Sequence, residues 1–323
     1  MARRNPSAGD GTATAATAPR TPWLSRPLKW VSARAPLHLA LIALALLWSI
    51  PTLALLASSF REPTAIASSG WWNIIKEPFD LTLGNYNEVL GKRGMERAFI
   101  NSVIITVPAT ALSILVASFT AYAFAWMKFP GRNALFLIVV ALLVVPVQMT
   151  IIPVLQLYVN LNDNLTFLNN DLPLLGGRLF GVNSFPGMWV AHTAYGLPFA
   201  VFLLRNFFGG LPRDLLESAY LDGASDLRVF FRLVLPLSTP ALAALAIFQF
   251  LWVWNDLLLA LILMGDPSVR PMTVQIQTLV SSFGTNYQVL TAAAFISMIL
   301  PLAVFFALQR YFVQGILAGS VKG

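Results

Sequence analysis

Six apolar runs of about twenty or more residues follow one another, near 36–59, 99–126, 134–158, 187–208, 239–265 and 288–312. Wound as helices, runs of about 20 residues cross the roughly 30 Å hydrocarbon core of a bilayer. Backbone in lipid must satisfy its own hydrogen bonds. The runs therefore predict an all-α integral membrane protein with six transmembrane helices. Residues 1–35 mix Ala, Thr, Pro and Arg without apolar periodicity, which predicts a disordered basic tail ahead of a membrane domain spanning 36–323.

The segment between the fourth and fifth runs, 209–238, has a different pattern. Pro212 suits a first helical turn, and Asp214 and Glu217 favour the positive end of a helix dipole. The apolar stripe of this short helix is Leu215, Leu216, Ala219 and Tyr220, and Gly223 stands where a helix end takes a left-handed residue. Ser225 can cap a second helix, in which Leu227, Phe230, Phe231, Val234 and Leu235 share one face and Arg228 and Arg232 the other. Pro236 is expected to stop that helix, and Thr239 with Pro240 to open the fifth span. Two helices joined by a glycine turn make a rigid projection. It suits docking of a protein partner; the alternative is an amphipathic helix resting on lipid.

Charge sets the orientation. The chain is 57% hydrophobic and 11% charged, with a net charge of +7. No folded basic face accompanies that charge, so nucleic acid is not an expected partner. With the N-terminus inside, 14 of the 21 Lys and Arg fall on the inner side, and the outer segment 60–98 balances its five basic residues with five acids. Both termini are expected to be cytoplasmic. In the outer segment, Trp71, Trp72, Phe79 and Tyr86 fit an interfacial helix followed by a turn.

Candidate chemistry is sparse. There is no Cys, which excludes disulfides and thiolate metal sites, and His38 and His192 are the only histidines. The nearest approach to a phosphate loop, Gly84 to Arg93, has too long a glycine spacing and places Arg93 where a magnesium-binding Ser or Thr belongs. Neither a metal site nor nucleotide hydrolysis is expected of this chain. Ionisable residues in hydrocarbon are costly and tend to face a cavity or a protein partner. Asp256 lies about 17 residues into the fifth run, beside Trp252, Trp254 and Asn255. Aromatic faces stack on sugar rings and Asn and Asp bond hydroxyls, so these four are candidates for a sugar path; an inter-subunit contact or an interfacial aromatic belt is the alternative. His192, Thr193 and Tyr195, followed by Gly196 and Pro198, predict a locally irregular fourth span, which either lines that path or packs as a kink. Gln148, Thr150 and Gln249 are expected to bond between helices. A single acid within the spans also allows an ion-coupled secondary transporter using Asp256.

Glu217-Ser218-Ala219, then Asp222 and Gly223, then Leu235-Pro236, resemble the cytoplasmic signature loop of bacterial ATP-binding cassette importer permeases. Ser218 stands where that family usually has Ala. "LDGAS", "LPLSTPAL", "FQFLWVWNDLLLALILMG" and the terminal "QRYFVQGILAGSVKG" are similar to the carbohydrate-uptake, maltose-type branch, and "AHTAYGLPFAVFLLRNFFGGLP" to permeases for α-glucosides. The resemblance implies a type I importer fold in a bacterial inner membrane, with 209–238 as coupling helices. It implies pairing with a second permease and two copies of an ATPase that bind ATP and Mg, and delivery of a sugar by an extracytoplasmic solute-binding protein. It also implies that the terminal "QGILAGSVKG" contacts the ATPases. A transport subunit that is not itself an enzyme is expected.

Overall fold

The computed structural model describes residues 26–76, 81–164, 180–282 and 287–320, all as helix or connecting turn. The disordered tail expected up to residue 25, and Phe79 in the outer segment, lie outside the described residues. Residues 26–35, read as the end of that tail, are helical: α1 runs from Arg26 to Ser59. Pro27 stands in its first turn, where the missing N–H costs little.

The chain forms two units, Met1–Leu53 and Ala54–Gly323. The first contains the described helix from Arg26 to Leu53. In the second, α2 (Pro63–Ser68) and α3 (Gly84–Lys92) precede the long α4 (Met95–Trp126), then α5 (Arg132–Ala141) and α6 (Val147–Asn164). α7 (Phe185–Gly209) leads to α8 (Arg213–Leu221), α9 (Asp226–Val229) and α10 (Leu235–Leu237). α11 (Thr239–Trp254), α12 (Leu258–Leu263), α13 (Met272–Ser282) and α14 (Tyr287–Ser320) complete the order.

Among the described residues, four helices are long and apolar enough to cross a membrane: Ala35–Ser59, Met95–Trp126, Phe185–Gly209 and Tyr287–Tyr311. Two bent pairs, Arg132–Val144 with Val147–Leu161 at 100° and Asp226–Leu237 with Thr239–Trp254 at 75°, bring the number to six if each counts as one span. The continuous helix expected over 134–158 is thus broken. Pro146 is the reason: it disfavours helical geometry in the preceding residue, and Val145 is extended at φ −75° and ψ 114°. The fifth run is also interrupted, because α11 stops at Trp254 and helix resumes only at Leu258. Conversely, the irregularity expected in the fourth run does not form: α7 is continuous helix through Pro198.

α4 and α7 pack along one another, and α11 lies against both α4 and α14. α4 presents Ala109, Thr110, Ser113, Ala117, Ser118 and Ala121 as a buried small-residue face, opposite a partner helix whose Ala191, Ala200 and Val201 are also buried. Small side chains let two backbones approach closely, which maximises dispersion contacts where lipid leaves no hydrophobic driving force. Indoles tie both ends: Trp189 Nε1 donates to the Ile104 carbonyl at 2.7 Å and Trp126 Nε1 to that of Phe208 at 3.1 Å. Such bonds contribute about 0.6 kcal/mol each between membrane helices, so close packing carries more of the stability.

Outside the spans, Asn85 of α3 donates to the carbonyls of Ser59 and Arg61, both at 2.9 Å. Buried Arg61 donates to the Gly70 carbonyl and Ser69 Oγ. Trp71 and Trp72 belong to a 3-10 turn, Trp71–Ile75, while Tyr86 bonds Ser59 Oγ from α3. The outer segment is therefore tied back to the end of α1 by backbone carbonyls.

Candidate functional site

The projecting loop forms as α8, a glycine turn and α9. α8 closes as a Schellman motif: Ala224 N–H donates to the Ala219 carbonyl and Gly223 N–H to that of Tyr220, both at 3.0 Å, with Gly223 at φ +78°. Only one side of α8 is sunk into the core. Leu216 is buried and Ala219 half-buried against a cluster that includes Leu204, Phe208, Tyr122 and Phe230. Leu215 and Tyr220, expected in the same stripe, are exposed, as are Glu217, Ser218 and Asp222. Ser218 Oγ donates back to the Asp214 carbonyl at 2.7 Å. Its hydroxyl is thus satisfied within the helix, and the position remains compatible with a small side chain at a docking surface.

Leu221, absent from the sequence-derived set, is 89% exposed at the tip beside the glycine turn. It lies five residues after buried Leu216, about 140° around α8, so the helix that sinks Leu216 into the core points Leu221 away from it.

The second arm differs from its expected helical face. Val229, Phe230 and Val234 are buried, Leu235 is half-buried, and Leu227 and Phe231 are exposed. The cause is a widened turn: Phe230–Val234 is a π-helical segment, which inserts a residue into the helical repeat. Pro236 supplies a physical reason, since its ring has no N–H for the Arg232 carbonyl and would clash with it in a regular helix. Helix persists through Pro236 to Leu237, and the 75° bend lies at Ser238, the N-cap of α11. Pro236 does not stop the helix, and the cap falls one residue before Thr239.

Among the substrate-path candidates, three side chains gather. His192 of α7 is completely buried, with Nε2 3.6 Å from Asp256 Oδ2, and Trp252 meets the imidazole edge-on at 5.4 Å between centroids. That nitrogen-oxygen distance exceeds hydrogen-bond range. Asp256 caps α12, accepting from Leu259 N–H at 3.3 Å and Ala260 N–H at 3.1 Å. Thr273 Oγ1 donates to the Asp256 carbonyl at 2.7 Å. The helix break thus has an internal cause: an Asp within an apolar run takes the backbone groups for itself.

Trp254 and Asn255 stand apart from this group. Trp254 is 4% exposed, stacks on Phe250 and donates to the Ser297 carbonyl at 3.0 Å, so it holds α11 to α14. Asn255 bonds the Leu251 carbonyl at 2.8 Å and ends α11. Both are accounted for by packing and capping within the chain.

Next to Trp252 a recess of about 330 Å³ is lined by Tyr195, Gly196, Phe199, Phe248, Gln249 and Trp252. A second cavity of about 420 Å³ shares Tyr195, whose hydroxyl bonds Thr150 Oγ1 at 2.6 Å. Gln249 is buried and donates to Ser113 Oγ at 3.1 Å. Gly196 permits this arrangement, because a Cβ there would lie 2.7 Å from Gln249 Oε1 and closer still to Nε2. The crowding atoms are the far end of a flexible side chain bordering the recess, so Gly196→Ala is expected to push the Gln249 amide off Ser113 Oγ, at about 1 kcal/mol. Thermal unfolding in detergent should show a lowered midpoint for Gly196→Ala, and no further lowering when it is added to a Gln249→Ala chain. An equal drop in both backgrounds would mean that the crowding lies elsewhere.

The family model for binding-protein-dependent transport system inner membrane components matches residues 92–318. The chain is 52% identical over 291 residues to the osmoprotective compounds uptake permease protein GgtD of Synechocystis, covering 89% of this chain and 92% of that one. It is 38% identical to the alpha-glucoside transport system permease protein AglG of Rhizobium meliloti, covering 92% and 98%. It is 32% identical to the arabinooligosaccharides transport system permease protein AraQ of Halalkalibacterium halodurans, covering 84% and 91%. In fold it is similar to a chain of a bacterial ABC transporter involved in the import of alginate, at a TM-score of 0.67 and 22% identity, covering 90% of this chain and all of that one. The chain belongs to the family of binding-protein-dependent transport system inner membrane components, as a permease of the carbohydrate ABC importer type.

Proposed function

We propose that the chain is one half of the membrane channel of an ATP-driven importer for a small, neutral, polyhydroxylated solute, with an α-glucoside as the leading case. It spans the membrane six times with both termini cytoplasmic, the broken pair α5 and α6 forming the third span and α11 with α12 the fifth. A second permease completes the path, an extracytoplasmic solute-binding protein delivers the solute, and two ATPase subunits holding ATP and Mg dock from inside. The docking element is the loop 209–238. One observation carries this reading: α8 projects Leu215, Glu217, Ser218 and Leu221 outward while Leu216 anchors it in the core. An amphipathic helix resting on lipid would turn its apolar stripe to the membrane, whereas here Leu216 is taken up by the protein.

In this reading the solute passes Trp252, Tyr195 and Gln249, where an aromatic face and amide or hydroxyl donors share one recess. His192 and Asp256 support Trp252 and the helix break from behind. The relatives of this chain include a permease for alpha-glucosides, which are uncharged and hydroxylated, and one for osmoprotective compounds. Alternating access follows from mechanics: closure of the ATPases displaces α8, and the membrane helices reorient with it. This chain's contribution is binding, orientation and transmission, with no covalent step.

The test is affinity purification of the tagged chain from its native membrane in mild detergent, followed by mass spectrometry. A second permease and an ATPase are expected to accompany it. Recovery of the chain alone, in detergent that preserves other membrane complexes, would sink this reading in favour of ion-coupled transport through Asp256.

A further inference from the structure

Three polar groups join the projecting loop to a membrane helix far away in sequence. Tyr122 stands one turn before the end of α4, Tyr220 in the last turn of α8, and Asp226 opens α9. Tyr220 Oη donates to Asp226 Oδ1 at 2.8 Å, and the Tyr122 and Tyr220 hydroxyls are 3.0 Å apart. Tyr122 Oη also lies 3.2 Å from the Asp226 carbonyl, to which it donates. Each phenol has one proton. With that of Tyr220 committed to the carboxylate, that of Tyr122 is shared between the Tyr220 oxygen and the Asp226 carbonyl, so the directions are consistent. Desolvation of the hydroxyl, then the bonds to Tyr122 and Asp226, push the Tyr220 pKa above the usual phenol range.

Packing reinforces these bonds. Phe230 stacks on Phe119 at 4.7 Å and lies 5.2 Å from Tyr122, so α4 holds both arms of the loop. The covalent route from the loop to α11 is weaker as a lever. It passes through a π-widened turn, Pro236 and a 75° bend at Ser238, whose buried Oγ has no hydrogen-bond partner among the described residues. Such a joint absorbs rotation that a continuous helix would pass on.

We infer that Tyr122, Tyr220 and Asp226 are positioning residues that make α8, α9 and the inner end of α4 one rigid body, so that movement of the loop enters the membrane through α4, with the Ser238 joint flexing. This rests on the coupling role proposed above for α8. Tyr122 is thus a coupling residue although it lies outside the loop.

The chain has no cysteine, so spin labels can be placed at chosen positions. In the whole complex, with partner cysteines removed, one label goes on α8 at Arg213→Cys, away from the proposed docking residues, and the other on α4 at Leu115→Cys or on α11 at Ala246→Cys, outside the recess. Pulsed electron resonance then reads both distances, before and after trapping with ATP and vanadate. The 115–213 distance is expected to hold on trapping while the 213–246 distance shifts. In the Tyr122→Phe/Tyr220→Phe chain, which removes hydroxyls only, the 115–213 distance is expected to shift as well. If both distances change together in the unaltered latch, if neither changes, or if the double variant behaves as its parent, the inference is overturned. Absence of an ATPase from the purified complex would instead defeat the coupling reading itself, before any label is placed.

Discussion

Gly223→Asp is expected to strip the ATPase from the affinity-purified chain while the second permease remains. The structure separates the two ways in which this substitution acts. A Cβ at Gly223 would meet nothing within 4 Å, so the chain itself has room for a side chain. Its backbone is left-handed at φ +78°, which costs an ordinary residue about 1–2 kcal/mol and Asp less, since a short polar side chain tolerates that region. The fold should survive. What changes is the exposed turn, where a second carboxylate joins Asp222 beside Leu221 on the proposed docking surface. A drop of at least about tenfold in ATPase recovered per chain, or about 1.4 kcal/mol of binding, is expected. Gly223→Val provides the contrast, because a β-branched residue strains the turn without adding charge. Retention of the ATPase by Gly223→Asp at the parent level would remove this turn from the interface.

Asp256→Ala should have the larger effect on uptake of a labelled α-glucoside into proteoliposomes. The carboxylate does two things in one place: it accepts the N–H groups of Leu259 and Ala260, and it lies 3.6 Å from buried His192. Loss of a cap costs about 1 kcal/mol. Within an apolar environment, leaving a donor unpaired adds a comparable amount, so the helix break should lose its shape and Trp252 its support. Uptake is expected to fall at least about tenfold, with the ATPase still recovered in the complex. Asp256→Asn retains an amide oxygen that can cap α12 and should keep most of the uptake. The comparison bears on the ion-coupled rival. If Asn abolishes uptake as fully as Ala, and uptake collapses with the ion gradient while ATP is present, the ionisable group itself drives transport. Equal uptake with and without the gradient points to ATP.

Several features were readable from residue order because their causes are local. Hydrophobic runs mark helices in lipid wherever they occur, and all six correspond to helical segments, four of them long single helices. The positive φ at Gly223 was foreseeable because a helix end in that geometry favours Gly. Asp256 was legible as a group that hydrocarbon penalises. Even the two breaks had local signals, Pro146 in the third run and the Asn255-Asp256 pair in the fifth, although hydropathy averages over both.

Other features depend on where separate helices meet. Trp252 and Trp254 are chemically alike and two residues apart, which on a helix is about 200° of rotation, so they face different neighbours. One borders a recess beside His192 and the other is packed against α14. The residues on α7 that approach Gln249 and Asp256 do so only because α7 and α11 lie side by side. Likewise Tyr122, 98 residues from Tyr220, has no local feature that distinguishes it from any aromatic residue near a span end. A membrane helix is specified by its own apolar residues, since its backbone bonds close within it. The faces it shares are specified by shape and hydrogen bonds supplied from other helices, and only the packed chain brings those together.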